Sequence, residues 1–509
     1  MTEAGEDLGS TDVAIVGSGF SGLGMAIRLE RAGRGDFVVL EKGRDVGGTW
    51  RDNTYPGASC DVPSHLYSFS FALNPDWTHS FSPQDEIWSY LRGCAESAGV
   101  TDRLRFEHEV VAARFEPGVR RWRIETTRGV LCARVLVSGT GPLSEPKIPE
   151  VPGLESFPGP VFHSARWDHG VELTGKRVAA IGTGASSIQF VPEIRPRAGK
   201  VLVFQRTAPW VVPRRDRSIS PAERAVYRRI PATQMLARAA IYWFRELYLL
   251  GFLHPERAKA AARLALRHLH KQVANPEMRE KLTPDYTIGC KRILISNDWY
   301  PALQEPNVEL LTGGLREVRG STLVSGDGQE READVIIFGT GFHVTDMPFA
   351  ERVFGADGRS LADVWALGSE AYLGTSVAGF PNFFMLIGPN TGLGHNSMVF
   401  MIESQLSYIL DALRAMDSTG EDVLSVRRSV QSSYNLELQE RLQPTVWNAG
   451  GCRSWYLDPR GRNTTVWPGF TWEFRSRTRK FDLASYAPPE SPTDPTTSPA
   501  RTSSGAEHS

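Results

Sequence analysis

Asp12-Val-Ala-Ile-Val16 is a short apolar run of β-type residues that ends on a glycine, and the helix-patterned segment Phe20 to Arg31 follows it. Phe37-Val-Val-Leu-Glu41 then reads as a second strand. Strand, glycine turn, helix, strand is the βαβ unit of a parallel sheet. The same succession returns between Lys176 and Arg206, with a strand at Arg177 to Ile181, a glycine turn, a helix, and a strand at Val201 to Gln205. Two such units predict two dinucleotide sites, or one site and the relic of another. The fold class expected is α/β, with two Rossmann-like dinucleotide-binding domains.

Between Pro221 and Leu282 the pattern changes. Apolar residues at helical spacing alternate with arginines, as in ERAKAAARLALRHLHKQV, and strand signals vanish. This predicts a helical insertion over residues 220–285. Its basic excess could face a phosphate, but a solvated helix face is the plainer explanation. Strand signals return at Asp334 to Phe338 and at Asn382 to Ile387. From Ala487 the chain is rich in Pro, Ser and Thr and holds too little apolar area to fold, so residues 487–509 are expected to form a disordered tail. Residues 1–10 are expected to form another.

At 509 residues the chain is too long for one core, so two or three domains are expected. With 41% hydrophobic residues and a formal charge of -1, the composition is that of a globular protein with no global pull toward nucleic acid or anionic membrane. The acidic start, MTEAGEDLGSTD, lacks the apolar core of a secretory signal. Met235 to Leu253 is the only membrane-spanning candidate, and Arg238, Arg245 and Glu246 interrupt it. Each charge at bilayer depth costs roughly 2.5 to 3.5 kcal/mol. A buried or half-buried helix is therefore expected, and no transmembrane segment. The five cysteines are scattered without a C-x-x-C pair, which points to a reducing compartment, no structural metal, no disulfide-exchange pair, and the cytoplasm as location.

Gly17-Ser-Gly19-Phe20-Ser-Gly22 is a G-x-G-x-x-G that follows a strand and opens a helix, with Glu41 at the end of the next strand. Gly17 permits the tight turn, Gly19 lets a pyrophosphate approach, and Gly22 lets helix and strand pack. Glu41 would accept hydrogen bonds from ribose hydroxyls and repel a 2′-phosphate, so this site suits FAD or NAD. Gly182-Thr-Gly184-Ala-Ser186-Ser187 is the second turn, with a serine at the third glycine position. There the next strand ends in Arg206-Thr207, where a guanidinium can bind a 2′-phosphate, so NADPH is expected at this site.

Phe157 to Asp168, FPGPVFHSARWD, fits the pattern F-x-G-x-x-x-H-x-x-x-W-[PD] through Phe157, Gly159, His163, Trp167 and Asp168. It resembles the signature of the Baeyer–Villiger monooxygenases. Further segments resemble this family in order along the chain. Gly47-Gly48-Thr49-Trp50 resembles the G-G-T-W at the flavin end, which favours FAD at the first site, and Tyr55 to Asp61 resembles Y-P-G-x-x-C-D. Cys290-Lys291-Arg292 resembles A/C-K-R, Asp334 to Gly341 a D-x-x-x-x-A-T-G strand, Gly388 to Asn396 a G-P-N-x-G-L-G-H-N loop, and Cys452 to Tyr456 the S-W-Y segment.

The resemblance implies an enzyme that uses FAD, NADPH and O2 to turn a ketone into an ester or lactone through a flavin C4a-peroxide. Arg292 would be the fixed cation of that chemistry, Asp61 would hold and tune it, and Lys291 would be a second cation or a ligand of the NADP phosphate. Phe20, Tyr67, Val110 and Asn390 complete the expected cofactor-binding set. Trp455 would lie near the substrate pocket, and no metal is expected. His163 and Trp167, in the linker to the second nucleotide unit, would couple cofactor binding to domain movement. On this view residues 11–145 and 380–486 form the FAD domain, and 146–219 and 286–379 the NADP domain. The alternatives are a flavin monooxygenase that oxidises nitrogen or sulfur, and a non-catalytic flavoprotein redox sensor. A disulfide reductase is excluded by the missing C-x-x-C. The particular ketone and the oligomeric state stay open.

Overall fold

A computed structural model describes residues 6–452, 454–458 and 460–487. The expected C-terminal tail therefore lies outside the described residues, apart from Ala487. The first βαβ unit is β1 (Asp7–Val16), α1 (Phe20–Arg31) and β2 (Phe37–Leu40). β1 runs parallel to β2 on one side and to a long strand on the other. That strand closes an antiparallel meander of β3 (Val110–Glu116), β4 (Arg121–Thr126) and β5 (Gly129–Ser138). Strand Phe383–Met385 returns from late in the chain to pair with β5, and Leu104–Arg105 and Val353–Phe354 sit at the two edges. α1 opens at the glycine turn and packs so closely on the long helix Met398–Thr419 that a Cβ on Gly24 would stand 3.0 Å from Leu406.

Two boundaries differ from expectation. β1 begins at Asp7 rather than Asp12, because Asp7 to Thr11 pair through their backbone with Val130 to Ala133 although their side chains show no apolar alternation. Residues 7–10 therefore belong to a strand and not to a tail. Val353–Phe354, expected within the second nucleotide unit, pairs instead with β3 of the first sheet.

The second sheet is wholly parallel. Its members are β6 (Val161–His163), β7 (Arg177–Ile181), β8 (Lys200–Gln205), β9 (Val308–Thr312) and β10 (Val335–Phe338), in the order β9-β8-β7-β10-β6. The three central strands, β8, β7 and β10, are almost entirely buried, as apolar runs covered on both faces should be, whereas the edge strand β9 is mostly half-buried. Helix α2 (Ser187–Ile194) joins β7 to β8. The insertion follows β8 as α3 (Pro221–Arg229), α4 (Pro231–Leu253), α5 (Lys259–Gln272) and a shorter helix, Pro276–Leu282. Among the described residues, no helix is long and apolar enough to cross a membrane.

Candidate active site

Two glycine turns open the site. Gly17 has φ 93° and Gly182 φ 101°. A Cβ on Gly17 would stand 2.9 Å from the Gly139 oxygen, and one on Gly182 would stand 2.8 Å from the Gly339 oxygen. Each turn is thus pressed against the end of a neighbouring strand. Gly22 packs tighter still, since its Cβ would lie 1.8 Å from the Gly17 oxygen. The middle glycines are open by contrast. The nearest atom to a Cβ on either Gly19 or Gly184 is 3.7 Å away. Helix N-termini facing such gaps present unpaired N–H groups to phosphate oxygens, so the residues present fit two dinucleotides. Ser187 takes the third glycine position of the second turn, buried and with an Oγ that has no partner. It fits because its neighbour is glycine: a Cβ at Gly339 would meet that Oγ at 2.0 Å. Ser186 precedes α2 beside it and makes no capping bond with its side chain.

Glu41 is buried at the first turn, and protein donors already engage both its oxygens. Oε2 accepts from Ser18 N (2.9 Å) and Ser18 Oγ (2.7 Å); Oε1 accepts from Gly43 N (2.7 Å) and Arg51 Nη1 (2.8 Å). Burial alone would raise its pKa, but Arg51 and these donors outweigh it and hold the carboxyl below its usual range. A ribose hydroxyl must therefore displace one of these partners. Gly48, with φ 51°, lies against Gly19, and Thr49 starts a single helical turn. Trp50 donates to the Tyr67 hydroxyl (3.1 Å), and Tyr67 meets Phe20 edge-on (5.0 Å), so three expected residues form one aromatic wall. The other two differ. Asn390 spends its amide on the carbonyls of Asn463 (2.8 Å) and Val466 (3.1 Å), clamping the C-terminal segment. Val110 sits in β3 with its carbonyl accepting from Arg352 (3.0 Å), and no hydrogen bond joins it to the glycine turn.

Arg206 is exposed at the end of β8, next to Thr207, whose carbonyl accepts from Thr183 Oγ1 at 3.3 Å. Among the described residues neither Arg206 nor Lys291 has a carboxylate within ion-pair distance. Burial and then the charge of Arg206 depress the Lys291 pKa, so the two cations lie close together beside the second turn. The Lys291 ammonium also stands over the Tyr286 ring at 4.7 Å.

Asp61 and Arg292 meet. Arg292 donates Nε (2.8 Å) and Nη2 (2.5 Å) to Asp61 Oδ2. Asp61, first of all, raises the Arg292 pKa further above its already high value. Burial works to raise the Asp61 pKa, but Arg292 and then Arg245 overcome it and keep the carboxylate charged. Arg245 arrives from α4 and donates Nη2 to the Asp61 carbonyl at 3.0 Å. Burial pushes the Tyr456 hydroxyl up to about 12 against the opposing charge of nearby Arg292, and Trp455, 43% exposed, packs on the Tyr456 ring at 4.4 Å.

The loop carrying Arg292 is also tethered covalently. Cys290 and Cys452 form a disulfide, which the expectation of scattered cysteines in a reducing compartment did not foresee. With a sequence separation of 162, no local spacing could announce the pair. Cys60, Cys94 and Cys132 are free.

The signature spans the junction between the two units. Phe157 packs among Ile181, Phe204 and Phe338, and a Cβ on Gly159 would strike the Asp334 oxygen at 2.2 Å. His163 ends β6, and its Nδ1 accepts from Ala165 N at 3.1 Å. Burial lowers its pKa to about 4, leaving a neutral ring that is a weak base at neutral pH. Trp167 packs on Phe190 of α2 at 5.5 Å, while Asp168 closes a turn with Gly170 N at 2.9 Å. Trp167, Arg166 and Ala165 share a cleft with Lys42, Arg51 and Thr54 of the first unit. Tyr55 and Ser59 bridge the same units through hydrogen bonds to Gln189 of α2.

Residues 10–356 match the family model described as flavin-binding monooxygenase-like. The chain is 57% identical to a "Baeyer-Villiger monooxygenase" of Streptomyces coelicolor, over 93% of this chain and 92% of that protein. A protein of the same name from Pseudomonas aeruginosa is 53% identical, over 93% of this chain and 90% of its own length. The chain belongs to the flavin-binding monooxygenase-like family, in its Baeyer–Villiger branch. Solved structures agree. A steroid monooxygenase described as oxidised and bound to NADP superposes with a TM-score of 0.83 at 30% identity, covering 95% of this chain and all of that one. Cyclohexanone monooxygenase from Rhodococcus sp. Phi1, bound to NADP+, superposes with a TM-score of 0.83 at 26% identity, over 95% of this chain and 99% of that one.

In this Baeyer–Villiger monooxygenase, sequence reasoning missed Arg245, Tyr456 and the Cys290–Cys452 tether. Arg245 did leave a signal. Arg238 and Arg245 stand seven residues apart, on one face of a largely apolar helix, where charges need buried partners.

Proposed function

We propose that this protein binds FAD at the first glycine turn and NADPH at the second, and consumes O2 to convert a ketone into an ester or lactone. One observation carries the site assignment: the Asp61–Arg292 pair, backed by Arg245, between two glycine turns that fit dinucleotides. Bound flavin, once reduced by NADPH, supplies the activation of O2. The chain's own residues do the rest. Arg292 cannot lose its proton under these conditions, so it offers a permanent positive charge where negative charge develops on oxygen. Asp61 fixes the guanidinium plane through two donors on one carboxylate oxygen. Arg206 and Lys291 give the second dinucleotide two cations with no carboxylate partner, as a 2′-phosphate requires. The aromatic wall of Phe20, Trp50 and Tyr67 excludes water on the first-turn side. His163, neutral and buried in the second sheet just before the Ala165–Trp167 wall of the cleft between the units, suits a role in coupling that cleft to the second sheet and not that of general base.

The need for NADPH favours a cytoplasmic location, where the Cys290–Cys452 bond would face a reducing milieu. The deciding experiment supplies a panel of ketones under labelled oxygen and identifies products by mass spectrometry. An ester or lactone carrying one labelled atom supports this reading. Formation of N- or S-oxides alone would replace it with the electrophilic class of flavin monooxygenase.

A further inference from the structure

We propose that α4 seats this protein on a lipid surface bearing anionic headgroups, lying in the plane of the interface without crossing it. A helix on the surface of a water-soluble protein normally turns its charges outward and its apolar residues inward. α4 buries Leu249 and Phe252 as such a helix should, but it turns its charges inward as well. Arg238 points in, to the carbonyls of His65 (2.7 Å) and Ser68 (2.9 Å), and Arg245 points in, to Asp61. Glu246 is buried and accepts from Asn396 (2.5 Å) and Thr471 (2.8 Å). The outward side is apolar from end to end. Met235, Leu236, Trp243, Phe244, Leu247 and Tyr248 are all exposed, with exposed Ala239 and Ala240 between them. Leu236 keeps 70% of its surface open, Trp243 59% and Leu247 61%. Pairs repeating every four residues share one helix face, so these side chains form a single stripe. Val226 and Ile230 before the helix, and Leu264 after it, are exposed as well. Apolar surface on this scale marks contact with something other than water.

The flanks select the occupant. Arg229 precedes the helix, Arg257 and Lys259 follow it, and Arg263 and Arg267 lie on α5; all five are exposed, while Arg228 is spent on Asp76. Glu256 is the one exposed acid among residues 224–276. A second copy docked by two-fold symmetry would bring this basic rim against itself, whereas anionic headgroups complement it. Trp243 and Tyr248 are of the types that settle at headgroup level. An apolar face with a basic border is the signature of a helix lying in a membrane interface. The whole-chain charge of -1 conceals this local excess.

Flotation of the flavin-loaded protein with vesicles tests the proposal, and its readout does not depend on the oxygenase reading. Vesicles of phosphatidylcholine are compared with vesicles that also contain phosphatidylglycerol. The protein is expected to float with the anionic vesicles, at least about tenfold more than with neutral ones, and to lose that binding in high salt. The double variant Trp243→Ser, Leu247→Ser is expected to lower the partition about tenfold or more, and so is Arg263→Glu, Arg267→Glu. Both should keep the wild-type flavin absorbance and melting temperature, because all four residues are exposed. Sedimentation of the same samples reports the rival occupant. A wild-type dimer that Trp243→Ser, Leu247→Ser turns into a monomer, without vesicle binding, assigns the stripe to a second copy and overturns the proposal. A monomer that binds neither vesicle overturns it, as does vesicle binding that both double variants leave unchanged.

Discussion

Arg245 donates to the backbone carbonyl of Asp61 at 3.0 Å from a helix that belongs to neither nucleotide sheet. Arg292 takes the carboxylate of the same residue. Asp61 is thus gripped at both its backbone and its side chain, and one short segment carries the register between the insertion and the reaction site. Arg245→Gln keeps a donor but removes the charge. It is expected to bind FAD normally, to form ester about tenfold more slowly, or about 1.4 kcal/mol in barrier, and to waste more NADPH as hydrogen peroxide. Arg245→Lys should recover part of the loss. Product formed per NADPH consumed is the measurement.

Arg292→Ala removes the permanent charge itself. The variant should bind FAD and be reduced by NADPH, yet form ester at least about a hundredfold more slowly, the scale on which a missing electrostatic stabiliser acts. Oxygen uptake should continue, with hydrogen peroxide as its product. Normal ester formation by this variant would move the chemical centre away from the Asp61–Arg292 pair.

Arg206→Ala is expected to weaken NADPH far more than NADH. Losing one charge-assisted contact costs about 1.5 to 3 kcal/mol, or roughly 10- to 150-fold in affinity. Titration of flavin reduction with each nucleotide measures the ratio. Lys291→Ala should act in the same direction if both cations serve one phosphate.

The disulfide closes a loop spanning 162 residues of sequence. Cys290→Ser, Cys452→Ser should therefore lose about 2 to 4 kcal/mol of stability, read as a lower melting temperature, with a larger drop in ester formation than in flavin content. A wild-type sample kept in strong reductant should move toward the same behaviour.

His163 has a folded pKa of about 4 against an ordinary value of 6.5. As pH falls, the unfolded chain takes up this proton first. The stabilising contribution is therefore fully present above about pH 6.5 and is lost progressively down to about pH 4, up to roughly 3 kcal/mol. Asp61 and Glu41, both held below their usual range, push the same way at lower pH. His163→Gln should show a shallower decline in melting temperature between pH 7 and 5 than wild type. Equal slopes would show that His163 is not held neutral by burial.

The sequence displayed what local patterning controls. Phe20–Arg31 and Arg177–Ile181 fold with the bounds their apolar runs suggest, because a helix opened by a glycine turn and a strand buried on both faces leave continuous marks. Asp7 to Ser10 left none, since their strand pairing uses the backbone alone. Arg292 and Asp61 were reached through motif resemblance; no spacing joins two residues so distant in the chain. The charges of α4 are visible in the sequence as interruptions of an apolar stretch. Which way each one faced depends on tertiary packing, and so did the pairing of Cys290 with Cys452.

Strand Phe383–Met385 hydrogen-bonds beside β5, and next to it Asn382 donates to the Arg134 carbonyl while Trp122 donates to the Pro381 carbonyl. During synthesis, the ribosome releases β5 long before its partner exists. The second parallel sheet closes with β10 and can assemble first, whereas the first sheet waits with one edge unpaired. Such delayed, long-range pairing slows folding and exposes an edge to other chains. A nascent chain halted before residue 380 should thus be the aggregation-prone species, and heterologous yield of this protein should respond to chaperones and to slower translation.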